Sequence, residues 1–424
     1  FCAWKKIKTL HREAMHQSGQ GKAKDIMRSL ALMSMGILDI IGSFIPKHYL
    51  PVAKVFGFTS CRNRGLATLL ECVNEGGMFG SFAGVAWAYY QLETKRVTGE
   101  DVSDNDFKNL NHALTWAHNH YPVSVYFKLL ESDFYKCRRQ IGTARLLHEQ
   151  AAIYVKDVPT MTWIVNYKRG LYCWASMQWF EAARSFEACV YAYKTKEKKS
   201  MIPYTSALSL ISLLQAKQSS SIDASNLAEM TQANLDILHD CAHLPKLNWS
   251  LQDVLGFRLF SKYAVDDSNM DNWVLLDILE IMITHLRCTE WMEAEMLHNF
   301  LRTLMRERDR RIQYNTLSLD QRISIVLSRT DILINLGRVQ EALSIANPCI
   351  QNEQVLAYAR RMKGPIIPFL LFLVAQLHAK DKNMSQAKAH LRMLKSLGKD
   401  YRLNHLLRIK IDVLSQRLKT ATSK

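Results

Sequence analysis

Leu336-Gly337-Arg338-Val339-Gln340-Glu341-Ala342-Leu343 is the stretch from which the rest of the chain can be read. A helix ends near Gly337, where the missing Cβ lets the backbone turn at little cost. A second helix starts after the turn, and Ala342 is small enough for the first helix to lie close against it. The same placing of a small residue just after a tight turn recurs at Ala144, Ala182, Ala294 and Ala387. One hairpin is common; a series of them predicts a stack.

Composition agrees. The 424 residues hold only 17 glycines and 9 prolines, too few for turn-rich β architectures, and 48% are hydrophobic, as in a folded protein. Helix–turn–helix units with a period of about 34 residues are the signature of the tetratricopeptide (TPR) hairpin. The expected fold is therefore all-α, a TPR-like α-solenoid of antiparallel helical hairpins. Such a stack is a binding surface before it is anything else.

The remaining numbers bound function. The chain begins at Phe1 without an initiator methionine, so the lack of a signal peptide carries no information. Nine cysteines are scattered without Cys-x-x-Cys spacing, and Cys137, Cys173, Cys189, Cys288 and Cys349 fall in helical patterns. They read as free thiols in a reducing compartment, and neither a metal nor another cofactor is expected. The net charge is +16, but it is dispersed. Lys194 to Lys199 sits beside a helix end, and Arg302 to Arg311 is interleaved with Glu307 and Asp309 as on a solvated helix face. No aromatic–basic platform accompanies these charges, so nucleic acid is not the expected partner.

Catalytic signatures are also missing. No glycine-rich phosphate loop, Gly-x-Ser-x-Gly elbow or His-Glu-x-x-His occurs. His118-Asn119-His120 looks like a nuclease string but reads as the end of a helix stopped by Pro122. Asp277 and Glu280, three apart, share one helix face; a solvated face is the expectation, not an acid–base pair. The chain reads as a non-enzyme.

Along the chain, residues 1–22 form a basic N-terminal segment and 23–216 an N-terminal helical half. Residues 217–250 are a loop and crossing segment, and 251–424 a C-terminal half. The apolar run from Ile26 to Ile45 approaches the length of a membrane span, but Arg28 and Asp39 interrupt it, which favours a buried helix. Helices are expected at 62–76, 79–97, 104–120, 124–138, 141–154, 162–176, 179–193 and 224–242. Further on they are expected at 251–264, 271–287, 291–312, 319–336, 339–353, 366–380, 384–395 and 402–419. In one hairpin Gly170 should admit the neighbouring helix and Phe186 should fill the gap.

Set in order, these residues resemble the tetratricopeptide repeat protein 39 family. Gly57-Phe58, Gly65-Leu66 and Leu69 resemble one of its signatures, preceded by Gly36, Ser43, Pro46 and Leu50. Pro245-Lys246-Leu247 with Phe257 and Lys262-Tyr263 is similar to its mid-chain element. Leu336-Gly337-Arg338, Glu341-Ala342, Pro368-Phe369, Ala387, Leu391, Asp400-Tyr401, Leu403, Arg408 and Ile409 resemble its last hairpins and closing helix. The likeness spans about residues 25 to 415. Ser60-Cys61 departs from it, as does Lys199-Ser200 where the family has Trp-Ser. The family includes fungal inclusion-body-clearance proteins of the mitochondrial outer membrane. The resemblance therefore implies a scaffold or adaptor for protein–protein interaction, in protein quality control or lipid regulation.

In TPR geometry the first helix of each hairpin lines the concave face. Alignment on the small residues places Tyr126, Asp133 and Lys136 there, then Tyr167, Lys168 and Trp174. Arg329, Asp331 and Asn335, with Gln376 and Lys380, follow near the C-terminus. Lysines and an asparagine in a groove suit a peptide carboxylate or an acidic segment. The expected partner is a protein or peptide, with a cytoplasmic location implied. Two alternatives stay open: a peripheral factor on an anionic membrane surface, at the mitochondrial outer membrane or a lipid droplet, and a structural subunit of a large assembly.

Overall fold

The computed structural model describes residues 9, 22–45, 51–52, 61–76, 78–98, 100, 102–194, 201–219, 224–242, 251–263, 273–313, 317–362, 365–397 and 405–421. Among them every regular element is helical. Gly57-Phe58, Pro46, Leu50, Pro245-Lys246-Leu247, Asp400-Tyr401 and Leu403 lie outside the described residues, as do most of the basic N-terminal segment and of Lys194 to Lys199. The chain divides into two compact units between Phe134 and Tyr135. The loop expected to part the two halves at 217–225 lies within the second unit, and one core cluster there contains residues from Ile141 to Ile332.

The first unit contains α1 (Lys22–Gly42), α2 (Arg62–Glu75), α3 (Gly80–Tyr89), α4 (Lys95–Thr98) and α5 (Asp104–His120). The start of α6 (Val125–Cys137) completes it. A π-turn over Tyr90–Thr94 joins α3 to α4, so the helix expected over 79–97 carries one widened turn. Two glycines set the α1–α2 contact. A Cβ on Gly65 would lie 2.7 Å from the Gly36 carbonyl oxygen, and one on Gly36 2.7 Å from the Leu69 side chain. The helices thus meet backbone to backbone, a spacing no larger residue permits. The charges that interrupt α1 are answered across this contact. Asp39, 1% exposed, accepts two bonds from Arg64, at 2.7 and 2.8 Å, and Arg28 pairs with Glu75. Among the described residues no helix is long and apolar enough to cross a membrane. His118-Asn119-His120 is the last turn of α5, as expected, with a His120 ring nitrogen 2.8 Å from the Trp116 carbonyl.

The second unit takes in the end of α6, then α7 (Ile141–Tyr154), α8 (Thr162–Ala175), α9 (Trp179–Lys194), α10 (Ile202–Ser219), α11 (Ala224–Ala242) and α12 (Leu251–Tyr263). It continues through α13 (Val274–Ile281), α14 (Ala294–Gln313), α15 (Leu319–Asn335), α16 (Val339–Gln351) and α17 (Glu353–Met362). It ends with α18 (Ile366–Lys380), α19 (Met384–Ser396) and α20 (His405–Ala421).

Four of its turns are copies of one geometry. Arg139, Met177, Gly337 and Lys382 each take a left-handed φ between 56° and 77°. After each, the next N–H reaches back five residues, from Gln140 to Tyr135, Gln178 to Cys173, Arg338 to Leu333 and Asn383 to His378, at 2.8–3.0 Å. This double closure is the Schellman motif, which satisfies carbonyls the helix end leaves open. Five residues past each left-handed residue stand Ala144, Ala182, Ala342 and Ala387, all fully buried. The eight-residue stretch from Leu336 is thus one of four equivalent hairpin turns. Ala294 is a correction: it is exposed in the first turn of α14. The preceding turn is longer, with a left-handed Arg287 and a 3-10 turn at Cys288–Glu290, which shifts the buried position to Leu297.

The α8–α9 contact follows expectation. A Cβ on Gly170 would come 2.5 Å from the Phe186 ring, so the ring fills the space the glycine leaves. Helix α10 was not expected as a separate element. It packs against α9, α11, α12 and α13, and almost every residue from Ile202 to Ala216 is buried. A helix surrounded on all sides needs no polar face, so it shows no 3.6-residue alternation. Helix α17 was also missed; Asn352 ends α16, and its side chain caps the next helix by accepting from Gln354 and Val355 N–H at 2.9 and 3.2 Å.

Candidate functional site

The structure distributes the expected groove residues unevenly. Tyr126 is 45% exposed at the start of α6. Asp133 and Lys136, on the same helix, are 1% and 7% exposed. In α8, Tyr167 and Lys168 are partly exposed, while Trp174 is wholly buried. Its ring packs edge-on against Phe186, centroids 5.3 Å apart, and its indole N–H donates to Ser212 Oγ of α10 at 2.7 Å. Burial, with Tyr204 nearby, raises the Tyr167 phenol well above its ordinary pKa. In α18, Gln376 is half-buried and Lys380 exposed.

Asp331 and Asn335 come together, with residues the sequence did not point to, in a polar node at the hairpin turns. Asn335 Nδ2 donates to the Asp331 carbonyl at 3.0 Å and its carboxylate at 3.3 Å. Arg139, from the α6–α7 turn, donates to the Asn335 carbonyl at 2.6 Å and the Glu290 carbonyl at 3.1 Å. The Ile141 N–H donates to Glu293 at 2.8 Å, and Arg287 pairs with Glu290. Burial raises the Asp331 carboxyl pKa, opposed by the nearby Arg287. The node ties turns together that lie far apart in sequence. Arg329, on the same helix, is half-buried, and burial lowers its pKa.

Asp277 and Glu280 correct the expectation of a solvated face. Asp277 accepts from Lys262 Nζ at 2.6 and 2.8 Å and from the Tyr263 hydroxyl, both on α12. Glu280 has its carboxyl raised to about 7, first by burial and then by Asp277, against the pull of Arg258. Among the described residues its carboxylate accepts one side-chain hydrogen bond, from Ser324 Oγ at 3.5 Å. His285, one turn further on, is lowered to about 4 by burial and by Arg258. Sequence spacing paired the two acids; the partners from α12 and α15 are non-local and left no signal.

A cleft beside this cluster also escaped the sequence. Arg258 of α12, Asp320 and Ile323 of α15, Tyr358 and Ala359 of α17, and Ile366 and Ile367 of α18 line it. Its open space is about 440 Å³, part of it continuous with solvent. Burial and the neighbouring Asp320 raise the Tyr358 phenol pKa. Asp320 was legible only as an acid in the first turn of α15, beside the Ser318–Gln321 capping box.

Repeated Schellman turns, buried alanines in register and antiparallel helix pairs define a TPR-like helical array. The family model for Iml2/Tetratricopeptide repeat protein 39 matches residues 3–237, more than half of the chain. The chain belongs to that family. The matched stretch includes the Gly36–Gly65 contact, the α8–α9 hairpin and α10. The C-terminal residues that resemble the family, from Leu336 on, lie beyond it.

Proposed function

We propose that this chain is a non-enzymatic adaptor that holds a protein or peptide partner on the first helices of its hairpins. The carrying observation is the fourfold turn geometry, which repeats one helix pair in register and leaves Lys168 and Lys380 on the first helices α8 and α18 with surface exposed. With a net charge of +16, an acidic segment is the complementary partner. Trp174 and Asp133 act as packing residues in this reading, since neither has surface to give.

Proximity labelling in cells supplies the partners, and Lys168→Glu with Lys380→Glu tests the face. The double variant should lose a defined set of labelled proteins while circular dichroism shows unchanged helix content. Retention of the whole set would reject the adaptor face.

A second reading has its own observation. Ile26, Met27 and Ile41 of α1, with Met78 and with Phe82 and Tyr89 of α3, are large apolar side chains at 36–65% exposure. They fit an organelle surface, a mitochondrial outer membrane or a lipid droplet, contacted from the cytoplasm. Flotation with anionic liposomes at low salt separates the readings: a chain that stays at the bottom of the gradient removes this one.

A further inference from the structure

The seam where α15 packs against α14 and α16 holds a cation that the fold leaves unanswered. Arg329 of α15 is half-buried, and its Nε is shut off from water without an acceptor. Among the described residues its side chain makes no hydrogen bond, and no carboxylate oxygen lies within 4.0 Å of it. Two acids act on it from further away, Asp309 near the end of α14 and Glu341 in the first turn of α16. Both are already taken. Asp309 accepts from Arg308 Nε at 2.8 Å, and Glu341 pairs with Arg338. The two pairs cancel, so Arg329 is the surplus charge of the seam.

A guanidinium that is partly desolvated and bonded to nothing costs folding free energy. Packing alone does not call for it, since an uncharged side chain of similar reach would fill the same space. The enclosed Nε holds the stem in place, while Nη1 and Nη2 are neither bonded nor enclosed. Together they are a fixed fork of donors, which two oxygens on one atom match. A cationic ligand would be repelled there, and an apolar one would leave the donors unmet. We propose that Arg329 binds an oxyanion, a phosphate or carboxylate group, end-on between Nη1 and Nη2. A free ion and an acidic or phosphorylated side chain of a peptide offer this same chemistry. The site is separate from Lys168 and Lys380; it goes beyond the adaptor face and stands or falls apart from it.

The test is thermal unfolding of the full chain and of Arg329→Met, in chloride and in low-millimolar inorganic phosphate at equal ionic strength and pH. Phosphate should raise the parent's Tm in a saturating way. Arg329→Met should lose that response, whereas a general salting effect would move both chains alike. In chloride the variant should melt at or above the parent's temperature, because it removes an unanswered charge. Arg329→Lys keeps the charge without the fork and should bind phosphate at least about tenfold more weakly. Calorimetry with a short phosphoserine peptide and its aspartate and serine forms separates the sources. An acidic form that binds at least about tenfold tighter than inorganic phosphate makes the ligand a side chain, and affinity no better than phosphate makes it a free ion. The serine form should not bind. Three results would overturn the assignment: no saturable response of the parent to phosphate or to either acidic peptide, a response that survives in Arg329→Met, and a variant that melts well below the parent in chloride, which would make Arg329 a packing residue.

Discussion

Asp39 and Glu280 are both carboxylates set into apolar helices, and the protein treats them in opposite ways. Asp39 on α1 faces a guanidinium that reaches it with two bonds. Glu280 on α13 has no cation within ion-pair distance among the described residues, and its carboxyl is pushed up to about 7. A buried charge survives only where a partner is fixed at bonding distance; elsewhere the group holds its proton. The difference lies in the neighbouring helix. Gly65 brings α2 against α1 closely enough to place Arg64, whereas Arg258 and Lys262 influence Glu280 only through space.

The strongest way to break this contrast is Gly65→Val. The added side chain would meet the Gly36 carbonyl and the Asp39 Cβ within 3.0 Å, and backbone cannot yield as a flexible side chain can. We expect a loss of about 3 kcal/mol in chemical denaturation; a variant as stable as the parent would mean that the α1–α2 spacing is not set by glycine.

Glu280→Gln comes next, and its effect depends on pH. The folded carboxyl keeps its proton up to about 7, whereas the unfolded one releases it near 4.5. The folded state therefore binds the extra proton between these values, and this group costs stability as pH rises through them. His285 works the other way. Its folded pKa of about 4 lies below the ordinary 6.5, so stability rises with pH over that interval. In the parent the two slopes oppose each other between about 4.5 and 6.5. In Glu280→Gln the His285 slope should stand alone, and the variant should gain about 2 to 3 kcal/mol on the parent between pH 4.5 and 7.5. Parallel pH profiles would show that Glu280 is solvated.

Arg64→Met should cost about 2 kcal/mol. It strands a buried Asp39, though the Arg64 side chain is 47% exposed and water can take up part of the loss. Asp39→Asn with Arg64→Met should recover part of it, which a packing defect alone would not. The smallest effect is Ser324→Ala. A donor 3.5 Å from Glu280 is barely a hydrogen bond, so the change should stay under about 0.5 kcal/mol. A larger loss would mean that Glu280 is held by this hydroxyl after all.

Much of the helical plan was legible because most of these helices have one wet face. Residues 104–120, 141–154 and 224–242 are helical over the expected spans. The hairpin turns were legible through Gly337 and, less directly, through the alanines; only one of the four equivalent turns uses glycine. Arg139, Met177 and Lys382 adopt the same left-handed backbone with side chains that give no warning of it. The fifth alanine misled because it sits in the first turn of its helix, three residues before Leu297, which occupies the buried position.

The candidate sites were less legible. Asp331 and Asn335 were picked from one helix by register, but Arg139, which joins the Asn335 and Glu290 carbonyls, stands at a turn far away in sequence. Arg258, Asp320 and Tyr358 come from three helices and share no local pattern.

The sequence by itself determined an all-α hairpin array, because amphipathic periodicity and small residues after turns are local properties written into consecutive positions. Only the tertiary structure decided which charges are paired, which lie exposed in a cleft, and that α10 is a helix wrapped by others. Those outcomes depend on distances between residues remote in the chain, and on burial from every side, which erases the very periodicity by which a helix is read.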